Sequence, residues 1–325
     1  MADPFRVLRA PVTPADPDPG FAARLRARLE RALDLPEGVA VSRTSSFRQP
    51  HPAVAPRRAR ESRPGDIGYA SLWVPDAAEA AAFYAAVLGW EYGPAGDPRG
   101  RQVPGVTPPQ SLWGGQPRST LFCSYVVDDA AAAVARVRAA GGQAGEPEQR
   151  PYGLIADCTD DQGTRFAVHQ PPRAGPPAAA TGGPAVVGPA GIRAGRVGLA
   201  TAGPGVTGPA AAAHDGDLAY VTFEVVDSRR ARDFYAAVLG WQFVPGRVTD
   251  GWQVVGTTPL AGLSGGHAAA TTVPMWRVAD LAAAVSRVRA AGGTSTGPRQ
   301  EPYGLTADCA DGQGTRFYLG QLPGG

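Results

Sequence analysis

The sequence contains no lysine and no asparagine, so arginine alone supplies its 31 basic residues. With 29 acidic residues the formal net charge is only +2, which argues against a strong electrostatic attraction to nucleic acid. No apolar run is long enough to span a membrane, and the N-terminus has acidic residues and prolines where a signal peptide needs an apolar stretch. We therefore expect a cytoplasmic protein that binds neither nucleic acid nor a membrane.

Cysteine and histidine are scarce as well, with three and four residues. Three cysteines are too few for a disulfide framework, and none has the spacing of a structural zinc site, so we expect buried, reduced thiols. Because His51 and His214 lie outside the segments that look like domains, only His169 and His267 remain. A catalytic transition-metal site normally needs three or four His, carboxylate or Cys ligands in one pocket. The sequence therefore predicts no metal, and no phosphate-loop, dinucleotide or hydrolase motif indicates another cofactor.

A gapless internal repeat organises the rest of the chain. The stretch FYAAVLGW at 83–90 returns 151 residues later at 234–241, and RVRAAGG at 136–142 and QGTRF at 162–166 return with the same offset. Duplication of one domain is the economical explanation. The predicted divisions are an N-terminal arm (1–63), a first domain (64–172), a Pro/Gly/Ala-rich flexible linker (173–214) and a second domain (215–325). In the arm, Asp18 and Pro19 begin a predicted amphipathic helix.

Each copy also contains a half-repeat. A strand-like run, YASLWVPD, is followed by the helical stretch AAEAAAFYAAVLG and by extended segments, and the pattern restarts at LFCSYVVDD. Each copy therefore reads as two βαβββ units, which indicates an α+β fold. Within the first helix, Phe83 and Val87, like Tyr84 and Leu88, are four residues apart, so FYAAVLGW is first of all a helix that packs on a sheet.

A strand, an Asp, a helix ending in FY…LGW and a late strand entered through D-x-x-G together resemble the vicinal oxygen chelate superfamily. That superfamily includes glyoxalase I, extradiol dioxygenases and the bleomycin- and fosfomycin-resistance proteins. The segment PYG…D…QG is most similar to the two-domain glyoxalase-like proteins of actinobacteria. The resemblance implies a tandem repeat of two such domains, in each of which two βαβββ units form a cupped mixed sheet that holds the active site. For function the resemblance is weak, because one scaffold supports many chemistries.

The resemblance also implies where metal ligands, typically His and Glu, would stand. The corresponding residues of this chain lack the usual donors: Tyr69, Phe122 and Ala167 in the first copy, and Tyr220, Val273 and Tyr318 in the second. This count agrees with the scarcity of histidine, and it predicts that neither cup binds a metal in the manner of the family.

Strand alternation predicts which side chains line the two cups. In the first copy they are Tyr69, Ser71, Trp73, Phe122, Ser124 and Val126, with Trp113 and Tyr152 from nearby strands. In the second copy they are Tyr220, Thr222, Glu224, Val273, Met275, Arg277 and Tyr318, with Tyr303. The first cup is apolar and aromatic, and the second is more polar. Such sites suit flat organic ligands, although the same residues could instead fill a closed cup as core.

Three functions remain open at this point. The first is a metal-free protein that binds a small aromatic or natural-product-like ligand, as sequestering resistance proteins do. The second is a cofactor-independent isomerase, cyclase or lyase that uses His169, Tyr220 or Glu224 for proton transfer. The third is a structural protein with filled cups. We expect the two copies to fold independently, with docking between them or a homodimer as possible assemblies.

One difference between the copies is a pair of charges. Glu224 and Arg277 replace Trp73 and Val126, and each stands three residues before a helix-opening Asp. Because an isolated buried charge is costly, we hypothesise that the two charges bond to each other or jointly hold a polar ligand. The alternative is that both reach solvent at the rim of the cup.

Overall fold

The structure, a computed structural model, describes residues 62–93, 97–172 and 214–323. The predicted arm helix lies outside these residues, as does the predicted linker apart from its last residue, His214. Among the described helices, none is long and apolar enough to cross a membrane.

The first repeat contains eight strands and two helices in its described residues. Its elements are β1 (Ile67–Trp73), α1 (Ala77–Leu88), β2 (Gly100–Val103), β3 (Gln110–Trp113), β4 (Thr120–Val126), α2 (Ala130–Ala139), β5 (Gln143–Ala144), β6 (Glu148–Arg150), β7 (Gly153–Thr159) and β8 (Arg165–Gln170).

The second repeat has the same arrangement, with one more strand after its first helix and one long strand in place of β5 and β6. Its elements are β9 (Leu218–Glu224), α3 (Ser228–Leu239), β10 (Phe243–Pro245), β11 (Gly251–Val254), β12 (Leu260–Ser264), β13 (Thr271–Arg277), α4 (Leu281–Ala290), β14 (Thr294–Glu301), β15 (Gly304–Ala310) and β16 (Arg316–Gln321).

The helices begin and end where the sequence signals predict. Asp76, at the start of α1, has extended backbone angles, and its carboxylate accepts hydrogen bonds from the backbone N–H groups of Ala78 and Glu79. Asp129, Asp227 and Asp280 cap the other three helices in the same way. Gly89 ends α1 with a φ of 69°, in the left-handed region that favours glycine. The repeated Asp and Gly positions are therefore helix boundaries.

Each repeat forms one eight-stranded mixed sheet. In the first repeat β1 and β4 are antiparallel at the centre, while β1 pairs with β3 and β4 pairs with β8 in parallel. In the second repeat β9 and β13 take the central places. In the first unit of the first repeat, an isolated bridge between Gly93 and Gln102 stands where the second repeat has β10. The predicted α+β fold, a tandem of two domains each built from two such units, is confirmed.

The two faces of each sheet separate as strand alternation predicts. Along β1, Ala70 and Leu72 belong to the core that contacts the helices, whereas Tyr69 and Trp73 belong to a second, smaller cluster on the opposite face. We call the face away from the helices the cup face.

The helices of the two repeats pack against one another, α1 on α4 and α2 on α3. The guanidinium Nε of Arg287 on α4 donates to the carbonyl of Val87 in the last turn of α1, at 2.9 Å. Arg136 on α2 makes the equivalent bond to Val238 of α3, at 3.0 Å. A basic group at a helix C-terminus satisfies a carbonyl that has no partner within its own helix.

Buried tyrosines from the repeated aromatic stretch also cross between repeats. The Tyr84 hydroxyl lies 3.3 Å from a carboxylate oxygen of Asp311, and the Tyr235 hydroxyl lies 2.9 Å from one of Asp160. The aromatic residues on the helix side of both sheets form one continuous core. Two of the stretches that are identical in both copies, FYAAVLGW and RVRAAGG, therefore meet across this interface.

This shared core argues against our expectation that the repeats fold independently. The apolar faces of α1 and α4 cover each other, as do those of α2 and α3, so separating the repeats would expose large aromatic side chains such as Tyr84 and Trp276 to water. Burial of such groups is the main favourable term in folding. The described part of the chain therefore behaves as one structural unit.

Candidate functional site

The cup face of the first repeat is filled by its own side chains. The rings of Trp73 and Phe122 stack at 4.7 Å with an interplanar angle of 9°, and the Arg165 guanidinium lies 4.7 Å from the Trp73 ring centroid. Three hydroxyls form a buried chain, in which Tyr69 donates to Ser111 at 2.7 Å and Ser111 donates to Ser71 at 2.9 Å. The predicted lining residues of this cup are all buried except the half-buried Tyr152: Tyr69, Ser71, Trp73, Trp113, Phe122, Ser124, Val126.

His169 lies at the end of this filled cup. Its Nε2 is 2.9 Å from the carbonyl oxygen of Tyr152, and the two rings meet edge to face at 5.8 Å. The other two candidates for proton transfer, Tyr220 and Glu224, lie on β9 in the other sheet. His169 and these two residues therefore do not converge on one site.

The cup face of the second repeat is more open and more polar. A row of residues crosses it from Tyr220 on β9 through Met275 on β13 and Tyr318 on β16 to Asp308 on β15. A cavity of about 190 Å³ lies beside this row. Its lining consists of Val273, Asp308, Cys309, Arg316, Phe317 and Tyr318.

The phenol of Tyr220 is held by two features of the neighbouring strands. Its hydroxyl donates to the side-chain oxygen of Gln253 at 3.3 Å. The hydroxyl also lies directly over Gly262, where any β-carbon would collide with it. Burial raises the pKa of Tyr220 to about 12, so its hydroxyl is a proton donor rather than a base near neutral pH. The pKa of Tyr318 is raised as well, mainly by burial and to a smaller extent by the charge of Glu224.

Glu224 is paired with Arg316, which corrects the hypothesis that it pairs with Arg277. Both carboxylate oxygens of Glu224 accept hydrogen bonds from the Arg316 guanidinium, each at 2.7 Å. His267 Nδ1 lies 3.6 Å from one of these oxygens, and the other nitrogen of that ring is 2.9 Å from the Ser264 hydroxyl. The carboxylate is thus fixed in a bidentate ion pair at the edge of the cup.

The error about Arg277 has a geometric cause. Glu224 and Arg277 occupy matching places at the ends of their own strands, but β9 and β13 are antiparallel, with Glu224 opposite Thr271. Arg277 is therefore at the other end of the cup, six residues along β13. Its side chain is half-buried there, and its Nη1 donates to the carbonyl of Leu322 at 3.4 Å.

The remaining predicted residues of this cup lie near its rim or floor. Thr222 is half-buried beside Val273. Tyr303 is 42% exposed, and the guanidinium of Arg247 lies 5.4 Å from the centroid of its ring. Arg316 and Gln253 were not predicted as site residues, and His267 was considered only as a metal ligand. Arg316 belongs to the repeated QGTRF stretch, so a comparison of differences between the copies could not reveal it.

A larger cleft, of about 330 Å³, lies outside both cups between α1 and the turn that follows β15. Glu79 and Phe83 line one side, and Gln313 lines the other. The Gln313 amide already exchanges two hydrogen bonds with the backbone of Asp76. Because this cleft has few polar groups that converge on one point, the cup of the second repeat is the better candidate despite its smaller volume.

The family-type metal site does not fit the residues present. In the first cup, its positions hold Tyr69, Phe122 and Ala167, which pack in the aromatic cluster. In the second cup the positions of Tyr220 and Tyr318 carry phenols rather than imidazole or carboxylate, and Arg316 places a cation beside Tyr318. No group of three or more His, Cys, Asp or Glu residues suited to a metal occurs among residues 62–93, 97–172 and 214–323.

The paired βαβββ units and their cups define a member of the vicinal oxygen chelate superfamily. More particularly, the chain belongs to the glyoxalase-like domain family, whose model matches residues 70–169 and 220–320. No curated protein sequence matches the chain.

Several solved structures share the fold. The Mn(II)-bound glyoxalase from Novosphingobium aromaticivorans is 15% identical with a TM-score of 0.56, and the match covers 80% of this chain and 83% of that one. The 2,3-dioxygenase LapB from Pseudomonas sp. KL28 is 15% identical with a TM-score of 0.54, covering 80% and 93%. An extradiol ring-cleaving dioxygenase from B. fuscum is 13% identical with a TM-score of 0.54, covering 80% and 73%. At such low identity these matches establish the fold and not the chemistry.

Proposed function

We propose that this protein binds a small aromatic ligand in the cup of its second repeat, without a metal, in the manner of sequestering proteins. The observation that carries the proposal is the difference between the two cups. In the first, Trp73 and Phe122 stack across the floor, whereas their counterparts Glu224 and Val273 leave a cavity in the second. In this proposal the first repeat stabilises the protein through the core that it shares with the second repeat, and the second repeat carries the binding site.

The size of the cavity favours a ligand smaller than a typical drug. Its volume of about 190 Å³ lies below the roughly 300–1,000 Å³ common for drug-sized ligands. Phenol rings of Tyr220 and Tyr318 and the thioether of Met275 line the adjoining row and suit contact with one aromatic ring. The Arg316–Glu224 ion pair supplies polar atoms at one edge. We therefore favour a single-ring metabolite over a large natural product.

The alternative, a cofactor-independent isomerase, cyclase or lyase, is less well supported. Both oxygens of Glu224 accept hydrogen bonds from Arg316, so the carboxylate is held against the guanidinium rather than aimed at a ligand as a general acid or base would be. Tyr220 can donate a proton, but the side chain that its hydroxyl contacts is the amide of Gln253, which is not a base. His169 is in the other repeat.

The test is a calorimetric titration of the full-length protein with single-ring aromatic compounds, paired with two variants. Val273→Phe places the first cup's Phe at the cavity and should abolish binding. The matched control, Phe122→Leu, alters the filled first cup and should leave the affinity unchanged. Binding that survives Val273→Phe but disappears in Phe122→Leu would move the site to the first repeat and refute the proposal.

A further inference from the structure

One row of residues at the end of the second cup differs from its counterpart in the first repeat at every position. Arg277 on β13 stands beside Gly320 on β16, and Gly320 stands beside Thr306 on β15. The corresponding row of the first repeat is Val126, His169 and Ile155. Because the repeat is gapless, the two rows can be compared position by position, and the row of the first repeat is the reference for side chains that pack within a filled cup.

The row in the second repeat forms a notch with a donor on each side. Arg277, Gly320 and Thr306 all lie on the cup face, because their neighbours Trp276, Leu319 and Ala307 belong to the core on the helix side. Adjacent strands are about 4.8 Å apart, so the glycine leaves a gap between the guanidinium-bearing strand and the hydroxyl-bearing strand. We call these three residues the arginine notch.

Arg277 has unused hydrogen-bonding capacity in this notch. Among the described residues the one hydrogen bond of its guanidinium is the 3.4 Å contact with the carbonyl of Leu322, and the guanidinium has no acidic partner there. The acids beside this end of β13 are already engaged, since the carboxylate of Asp217 accepts from the backbone N–H groups of Thr107 and His214, and that of Asp215 accepts from the N–H of Ala279. A guanidinium carries five N–H donors and favours planar anions such as carboxylates.

Thr306 provides a second, independent sign of a missing partner. Its side chain is only 2% exposed, and its hydroxyl has no hydrogen-bond partner within the described structure. A buried hydroxyl without a partner is destabilising, so its retention needs a reason. The counterpart in the first repeat, Ile155, is apolar and packs in the aromatic cluster.

The notch is covered by flexible side chains. A β-carbon at Gly320 would lie 2.9 Å from the sulfur of Met275 and 3.4 Å from Leu322 Cδ2. Methionine is unbranched and readily changes rotamer. A ligand group can therefore displace the thioether and reach both donors.

From these observations we infer that the second cup binds aryl carboxylates, with the acid group in the arginine notch between Arg277 and Thr306. This inference rests on the proposed function. The notch is one residue row beyond Tyr318, or about 7 Å along the strand from the row that borders the cavity. A short spacer between ring and acid, as in 3-phenylpropionate and cinnamate, suits that separation.

The experiment compares an acid with its neutral amide on the full-length protein. Calorimetric titrations at pH 7 with 3-phenylpropionate and 3-phenylpropionamide should show the acid binding at least about tenfold more tightly, since a charged hydrogen bond contributes more than a neutral one. Arg277→Gln should abolish this preference, because it weakens binding of the charged acid far more than binding of the neutral amide. The control Arg299→Gln removes an equal charge from the same domain and should preserve the preference.

Thr306→Val gives a second readout that does not depend on Arg277. It removes the unpartnered hydroxyl at constant shape, so the melting temperature of the free protein should stay the same or rise while the acid binds several-fold more weakly. A merely structural role for Thr306 would instead lower the melting temperature and leave the acid preference intact, which contradicts the inference.

The possible failures are distinguishable. If acid and amide bind equally well, or if the preference survives in Arg277→Gln, the carboxylate inference is wrong and the proposed function stands. Arg299→Gln could also lower the affinity for the acid as much as Arg277→Gln does. The preference would then come from long-range charge, and the assignment of the acid group to the arginine notch would be refuted. If neither compound binds, and a wider set of single-ring aromatics fails too, both the inference and the proposed function are refuted.

Discussion

The ion pair between Glu224 and Arg316 leads to the most informative stability prediction. Arg316→Met removes the guanidinium and keeps much of the apolar stem, whereas Glu224→Gln removes the charge of the carboxylate and keeps its shape. The structure predicts that the two substitutions are coupled, because Arg316 donates to both oxygens of Glu224 at 2.7 Å.

The magnitude follows from the burial of the two side chains. The side chain of Glu224 is 5% exposed, but that of Arg316 is 58% exposed, so solvent screens part of the attraction. Breaking a fully buried pair costs about 3–5 kcal/mol, and an exposed pair is worth about 0–1 kcal/mol. We therefore expect Arg316→Met to lower the free energy of unfolding by about 2 kcal/mol, or roughly 4–8 °C in melting temperature for a unit of this size.

The assay is a double-mutant cycle by urea unfolding. A coupling free energy of about 1 kcal/mol or more supports the pair. Two internal controls are available: a cycle of Glu224→Gln with Arg277→Met should be additive, and Arg165→Met should cost only about 0.5–1 kcal/mol, since Arg165 contacts the Trp73 ring instead. Additive effects for Glu224 and Arg316, or strong coupling between Glu224 and Arg277, would refute the reasoning.

Four further predictions can be checked on the same protein. A protease site inserted near Gly182 should yield fragments that still co-elute on gel filtration after cleavage, because the repeats share a core; two separable, cooperatively folded halves would contradict this. A chelator should leave the melting temperature unchanged, and elemental analysis should find no stoichiometric transition metal. Thiol reagents should not react with the native protein, since all three cysteines are buried and burial raises the pKa of Cys158 to about 12. Because the pKa of Tyr220 rises from about 10 when unfolded to about 12 when folded, the stability it contributes is complete below pH 10 and should be lost as the pH rises from 10 to 12, as followed by urea midpoints.

The fold could be predicted largely from local signals and the repeat. The Asp and Gly residues at the helix ends mark the boundaries because they satisfy backbone groups or adopt a left-handed angle, which are short-range effects. Alternation along β1 and β4 correctly separated the cup face from the helix face for the same reason. The packing of α1 on α4 could not be predicted from these signals, because both helices have an apolar face that a sheet or another helix could cover.

The site was harder to predict, because its contacts depend on strand direction and on residues that do not vary. Matching positions in the two copies suggested that Glu224 and Arg277 are neighbours, but antiparallel pairing separates them. The true partner, Arg316, is the same in both copies, so only its environment differs: Trp73 faces its counterpart in the first repeat, and Glu224 faces it in the second. Whether a cup is filled or open likewise depends on side-chain volumes summed over several strands.

The distribution of identical and different residues between the repeats has one physical explanation. Tyr84 and Arg287 are matched by Tyr235 and Arg136 because each bonds to the other repeat, so a change in one copy would break a contact whose counterpart remains. On the cup faces, the contacts described above for Trp73, Phe122, Tyr220 and Glu224 are all within their own repeat, although the Thr271 hydroxyl donates to Thr120 across the repeats. Most of a cup can therefore change without disturbing the interface. The first cup has changed toward packing and the second toward polar groups that need a partner, such as the Thr306 hydroxyl. A duplicated scaffold of this kind can therefore keep the interface that stabilises it while one of its cup faces acquires a binding site.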